Sequence, residues 1–364
     1  NRVPYDFFSE DDTYTIFPSN DLHLGLVENL AGEVEESWEN LFAKSSDKER
    51  KRDIPIILEH TEELLTLAED EPIESSSPET EKFFNHINEL IDKSADKDVT
   101  VYVHGANSSF YRATAQGAQY FHYTGHNSVV LTFSWPSAEN ILKYGVDVEH
   151  AGKTVPAFSR LIEYLALHTK AQNINIIAYS AGTQVVVPGL VYLREKLSYL
   201  EAAEIRERCR IGEVYFAAPD MEARSFAYKY SRFRDIVERV TISSNMEDSV
   251  LLHAQRFTGE SRLGRPVADE IPAEEKEFLI RNSLTSSLDI LDIGGSRHLD
   301  VGGSHSFGYS HPWVSNDLLL LMLLKLSPEE RLLSRVIHES GMEVWHFPED
   351  YEVEMDGLLE KLRQ

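Results

Sequence analysis

The sequence is short of cysteine, of basic residues and of long apolar runs, and each shortage excludes something. Cys209 is the only cysteine among 364 residues, so no intramolecular disulfide can form and no oxidising compartment is required. It lies in the charged run Arg206-Glu207-Arg208-Cys209-Arg210 with no histidine beside it, which reads as structural rather than nucleophilic. Lysine and arginine number 35 against 61 aspartate and glutamate, a formal net charge of −26. Such a surface repels nucleic-acid phosphates and anionic membranes, so no nucleic-acid partner is expected. No apolar run approaches the roughly 20 residues that cross a bilayer. The longest, Leu318 to Leu324, suits a core helix, and no transmembrane segment is expected.

What is present is a chain that is 42% hydrophobic, enough for a sizeable core. Residues 1 to about 98 are acidic and weakly patterned. Extended pieces are expected at Tyr14–Phe17, Leu22–Val27 and Ile54–Leu58, and a loop at Asp70–Thr80. A helix follows, with Phe83, Phe84, Ile87, Leu90 and Ile91 at helical spacing. From Val99 the pattern changes. Short apolar runs at Val99–Val103, Val129–Phe133, Ile174–Tyr179, Val214–Ala217, Val237–Ser243 and Leu288–Ile293 alternate with helical stretches. Helical patterns close the chain, at about Val314–Leu326 and beyond. The alternation predicts an α/β fold with a mostly parallel central sheet and helices on both faces. The expected division is an N-terminal extension, 1–95, packing on a catalytic domain, 96–364. In such sheets ligands bind at the carboxyl ends of the strands.

Those ends carry the polar and glycine-rich segments. The run Ile176-Ile177-Ala178-Tyr179-Ser180-Ala181-Gly182 takes an apolar strand into a small-x-Ser-x-Gly turn and straight into a helix. A nucleophilic serine needs such a turn, because a strained backbone exposes its hydroxyl and small neighbours let strand and helix approach. Ala178 stands where glycine is usual. Earlier, Val101-Tyr102-Val103-His104-Gly105-Ala106-Asn107 ends another strand, and the loop after that strand supplies one oxyanion donor in this kind of site. The candidate donors are the N–H groups of Ala106 and Ala181. His104 is expected to order the loop rather than act as base.

A base is sought after the last strand, in Gly302-Gly303-Ser304-His305-Ser306-Phe307-Gly308-Tyr309-Ser310-His311-Pro312. Glycines on both sides of His305 suit a base that must reach the serine. His311 precedes a proline that opens a helix, a structural position, and His298 is a distant third. The acid is sought after the strand before, where Asp248 leads, Glu247 follows, and Asp220 after Ala218-Pro219 is the other option. An aspartate there is also an ordinary helix cap. Ser180, Asp248 and His305 fall in the Ser–acid–His order of α/β-hydrolases. Asn107, Trp135 and Tyr179 are candidate substrate contacts. The segment Ser137 to Lys153, with Ile141, Leu142, Tyr144 and Val146, reads as a lid or as an ordinary connecting helix. A rival metal reading rests on Asp292, His298, Asp300, His305 and His311, whose spacing matches no zinc signature. A second rival is a non-catalytic binding or scaffold protein of the same fold.

Beyond these residues, the chain resembles one bacterial family of α/β-hydrolases, catalogued as a domain of unknown function and described as esterase- or lipase-like. The resemblance is carried by Val101 to Phe110, Phe133-Ser134-Trp135-Pro136-Ser137 and Ala178 to Gly182. It continues at Phe216-Ala217-Ala218-Pro219-Asp220, at Thr241 to Asn245 with Asp248, at His305-Ser306-Phe307 with Pro312, and at Leu22-His23-Leu24-Gly25. It covers about Leu22 to Leu324 and is specific from Val99 onward. The Pro312 spacing favours His305 over His311. The acid loop is longer here, with Met246-Glu247 before Asp248, which keeps Glu247 and Asp248 both open. The resemblance implies a Ser-Asp-His triad and carboxylic-ester chemistry, without fixing a substrate. Acyl transfer through such a triad and an oxyanion hole, on a small-molecule ester and in this acidic protein, needs no metal or organic cofactor. Amide and thioester bonds are the alternatives. Members often carry export or lipoprotein signals, so a chain beginning at Asn1 is expected to be periplasmic, secreted or a lipoprotein, with the cytoplasm as the other option. The sequence carries no signal of oligomeric state.

Overall fold

The computed structural model describes residues 18–31, 56–124, 126–138, 140–267, 273–283, 288–337 and 341–362. Leu22–Ala31 (β1) and Ile56–Leu67 (β2) pair antiparallel as a two-stranded sheet of their own. The expected piece Leu22–Val27 falls within β1, and Ile56 to Leu58 opens β2. Tyr14–Phe17, with Ile54 and Pro55, lies outside the described residues. Strand periodicity puts Leu22, Leu24, Leu65 and Leu67 on one buried face, in the same apolar cluster as Val99 and Val101. Arg160 ties the ribbon down, its guanidinium donating to the Asn20 carbonyl (3.0 Å) and to the Ala68 carbonyl.

The apolar runs become Val99–Val103 (β3), Val129–Phe133 (β4), Ile174–Tyr179 (β5), Ile211–Ala217 (β6), Val237–Ser244 (β7) and Leu288–Asp292 (β8). Two short strands follow, Ser334–Ile337 (β9) and Glu343–His346 (β10). This corrects the expectation that the chain beyond Leu326 is helical. Four-residue strands are too short to show a period of two, and β9 is an exposed edge. The eight strands form one sheet in the order β4-β3-β5-β6-β7-β8-β10-β9, parallel except for β9.

The helices are Pro78–Lys93 (α1), Phe110–Tyr123 (α2), Tyr144–Lys153 (α3), Val155–His168 (α4), Thr183–Lys196 (α5) and Ala202–Cys209 (α6). They continue with Ala223–Phe233 (α7), Ser249–Thr258 (α8), Ala273–Ser283 (α9), Phe307–Ser310 (α10), Pro312–Leu324 (α11) and Tyr351–Leu362 (α12). Alternate strand residues face opposite ways, and the core is accordingly split in two. Val101, Val103, Ile176, Ala178, Val214 and Phe216 pack under α1, α4, α5, α6 and α7. Tyr102, Ile177, Tyr179, Tyr215 and Ala217 pack under α2, α11 and α12. Each fully buried aliphatic or aromatic side chain contributes roughly 1.5–3 kcal/mol, so both layers help to hold the sheet between them. No described helix is long and apolar enough to cross a membrane.

Candidate active site

Strand β5 is buried along its whole length and delivers its last residue, Tyr179, to the carboxyl edge of the sheet. Ser180 then turns the chain with φ of +51°, a left-handed conformation that costs an L residue about 1–2 kcal/mol. A short turn, Ser180–Gly182, leads into α5, so the helix N-terminus opens beside the hydroxyl. Two glycines bring the end of β3 against this turn. A Cβ on Gly182 would meet the Val103 and His104 carbonyls at 2.6 and 2.7 Å, and one on Gly105 would meet the Ser180 Cβ at 3.0 Å. The loop holding Ala106 therefore rests against Ser180, and neither the Ala106 nor the Ala181 N–H is hydrogen-bonded among the described residues.

The Ser180 hydroxyl donates to His305 Nε2 at 2.8 Å, and His305 Nδ1–H donates to Asp248 Oδ2 at 2.6 Å. A carboxylate only accepts, so the contact with Asp248 assigns the proton to Nδ1 and leaves Nε2 as the acceptor. Asp248 is fully buried and does two things at once: its Oδ1 accepts the Leu251 N–H (2.9 Å) as the N-cap of α8 while its Oδ2 holds the imidazole. Glu247 is exposed. Ser180 is 7% exposed, and Tyr179 packs its ring 5.3 Å from that of His305.

The other named residues have structural places. His104 accepts the Trp135 N–H on Nε2 (3.0 Å) and donates from Nδ1 to the Gly105 carbonyl (2.7 Å), which orders the loop. Trp135 is a correction: it is fully buried, stacked on His104 and donating its indole N–H to the His104 carbonyl, so no face of it is left to meet a substrate. Asn107 has φ of +51° and is half-buried. His311 is the N-cap of α11, accepting the Trp313 N–H, and His298 packs against Trp313. Asp292 pairs with His346 instead of with those histidines, and among the described residues no three metal-ligating side chains gather. Cys209 is buried at the end of α6, and burial pushes its thiol up to about 12.

Two supporting residues escaped the sequence reading. Buried Asn245 donates from Nδ2 to the carbonyls of Gly302 (2.8 Å) and Ser304 (3.0 Å), clamping the loop that carries His305. Buried Asp147 accepts the Asn107 N–H (2.9 Å) and the Ala138 N–H (2.6 Å), fastening α3 to the loop after Ala106. The segment Ser137 to Lys153 is thus anchored at its centre, while Leu142 stands in solvent. Only the turn residue after a strand, Asn245, carried a signal that could have been followed.

A family of sequences described as alpha/beta hydrolases of unknown function (DUF900) matches residues 79–307, more than half of the chain. The protein belongs to that family. No curated protein matches the chain in sequence. Among solved structures, an inhibited esterase B from Lactobacillus rhamnosis is similar at a TM-score of 0.39 and 12% identity, covering 66% of this chain and 81% of its own. A lipase-esterase related protein from Clostridium acetobutylicum is similar at 0.32 and 7% identity, covering 62% and 94%. Likeness at that level adds nothing to what the sheet and the family match already say. The fold is that of an α/β-hydrolase, with Ser180 after β5, Asp248 after β7 and His305 after β8.

Proposed function

We propose that this α/β-hydrolase is a serine esterase that cleaves carboxylic esters through an acyl-enzyme. The observation that carries the reading is the unbroken hydrogen-bond chain from the Ser180 hydroxyl through His305 to Asp248, mounted on a strained turn. Ser180 Oγ attacks the ester carbonyl while His305 Nε2 takes its proton. Asp248 keeps the ring in the right tautomer and stabilises the imidazolium that forms. The N–H groups of Ala106 and Ala181 receive the oxyanion, each donor supplying about 3–4 kcal/mol of transition-state stabilisation. His305 returns the proton to the leaving alcohol, then activates water for deacylation.

The test is hydrolysis of p-nitrophenyl butyrate beside the matched anilide and thioester. The ester is expected to have the highest kcat/KM, with turnover of all three lost in Ser180→Ala. Turnover that survives in Ser180→Ala, or none on any of the three, would overturn the reading.

A further inference from the structure

The nucleophile and the base sit on separate loops, and a third segment laces those loops together. Ser180 and Ala218 follow the paired ends of β5 and β6, and both are left-handed, at φ of +51° and +46°. Residues other than glycine persist in that conformation only where their surroundings over-determine them. At Ser180 those surroundings include Asp220, whose N–H donates to the Ser180 carbonyl at 3.1 Å. Asp220 is fixed in turn. Gln184, in the first turn of α5, donates to its carbonyl at 2.8 Å, and Arg262 faces its side chain, Nε 3.5 Å from Oδ1. The Tyr144 phenol, from α3, stands beside the same carboxylate, and burial next to that charge pushes its ionisation up.

Arg262 belongs to a strap, residues 261–264, that runs beside the loop after β6. The Ala223 N–H donates to the Ser261 carbonyl at 3.1 Å, and the Leu263 and Gly264 N–H groups donate to the Met221 and Pro219 carbonyls at 2.9 Å each. The approach is close: a Cβ on Gly264 would lie 2.7 Å from the Ala218 carbonyl carbon and from the Pro219 nitrogen. The Gly264 carbonyl accepts the Asn245 N–H at 2.9 Å, and Asn245 clamps the loop that carries His305. Backbone contacts thus lead from the Ser180 carbonyl through Asp220 and the strap to the base, apart from the side-chain path of the triad. Arg262 also donates from Nη2 to the Thr258 hydroxyl at 2.7 Å, at the far end of the helix that Asp248 caps. Asp220 and Arg262 are 3% and 4% exposed. A buried ion pair is a poor source of stability, because desolvation offsets its attraction; what this one adds is a fixed arrangement.

We propose that Asp220 and Arg262 are positioning residues: their ion pair locks the loop after β6 against the strap and so sets Ser180 at working distance from His305. Both act through the Ser180 carbonyl and Asn245, and the proposal rests on the esterase reading. The experiment measures kcat and KM for p-nitrophenyl butyrate in wild type, Asp220→Asn and the double variant Asp220→Asn with Arg262→Met, counting competent enzyme by fluorophosphonate titration of Ser180. Asp220→Asn keeps the peptide N–H and the side-chain shape and removes the charge. It should lower kcat per titrated site about ten- to a hundredfold, with KM within about twofold, as a misplaced nucleophile would. It also leaves the Arg262 charge buried and unpaired. The double variant removes both charges, so its melting temperature should recover while kcat stays low. A kcat per site within about twofold of wild type in Asp220→Asn, or an effect carried by KM, would overturn the positioning role and leave the esterase intact. So would a double variant that regains kcat, because the loss would then come from the unpaired charge. If wild type cleaves no ester, the esterase reading fails, and the pair is decided by the rate at which the fluorophosphonate labels Ser180. Slower labelling of Asp220→Asn supports it; an equal rate, or no labelling of wild type, overturns it.

Discussion

The two ends of the central sheet are both polar and both buried, and they are wired differently. At the amino ends Asp98 accepts four hydrogen bonds: from the Asn173 N–H (2.8 Å) and side chain (3.1 Å), from Asn175 (3.0 Å) and from Lys325 (2.7 Å). Asn175 passes the chain on by accepting the Glu213 N–H at 3.0 Å, which stitches β3, β5 and β6 together. A carboxylate has about four acceptor sites, so Asp98 itself is saturated. At the carboxyl ends the chain from Asp248 through His305 stops at Ser180, whose oxygen accepts no hydrogen bond among the described residues. Left-handed Arg210 and Lys325, at the amino ends, are helix C-caps, where that conformation is ordinary. Left-handed Ser180 and Asn107, at the carboxyl ends, cap no helix. Asp98 is saturated by its neighbours, whereas the chain through His305 ends on a serine oxygen with acceptor capacity left.

The contrast can be broken from either side. The largest effect expected is on rate: Asp248→Asn should lower kcat by about three to four orders of magnitude with the melting temperature nearly kept, read by steady-state kinetics beside a thermal melt. Asp98→Ala should do the reverse. It leaves Lys325 and Asn175 without their acceptor and should cost about 3 kcal/mol in urea unfolding, with kcat of the folded fraction within about twofold. A rate loss in Asp98→Ala as deep as that in Asp248→Asn would erase the distinction. The smallest effect concerns Asp289, also at the amino ends, where burial raises the carboxyl to about 6 from 3.8 against the pull of Arg331 and Arg239. The folded state therefore holds this proton more tightly, and its contribution to stability is lost as pH climbs from about 4 through 6. Asp289→Asn should flatten that fall by about 1–2 kcal/mol, measured by unfolding at pH 4.5 and pH 7.5.

Much of this was legible from residue order alone, where short apolar runs alternate with helical stretches. Val99–Val103 and Ile174–Tyr179 form strands at their expected bounds with every position buried, polar Asn175 included, and Val129–Phe133 does so at the sheet edge with its three central residues half-buried. The strand β2 runs on to Leu67 through His60-Thr61-Glu62-Glu63, polar residues that a half-exposed ribbon tolerates and that carry no alternating apolar signal. Ser180, Asp248 and His305, which meet in space, stood out because each follows a strand in a recognisable order. Asp147 did not, since a buried polar support looks like any surface aspartate until its partners are known, and Asn245 had only its place after a strand to mark it. Trp135 shows the opposite error: an aromatic at a strand end reads as a pocket wall, and here it is a stacked prop for His104.

The most direct test of the central claim is labelling with a fluorophosphonate probe, followed by intact mass and peptide mapping, on wild type, Ser180→Ala and His305→Ala with and without chelator. The account predicts a single adduct on Ser180, absent from Ser180→Ala, strongly slowed in His305→Ala and indifferent to chelator. No adduct on the folded wild type, or an adduct that persists in Ser180→Ala, would contradict it.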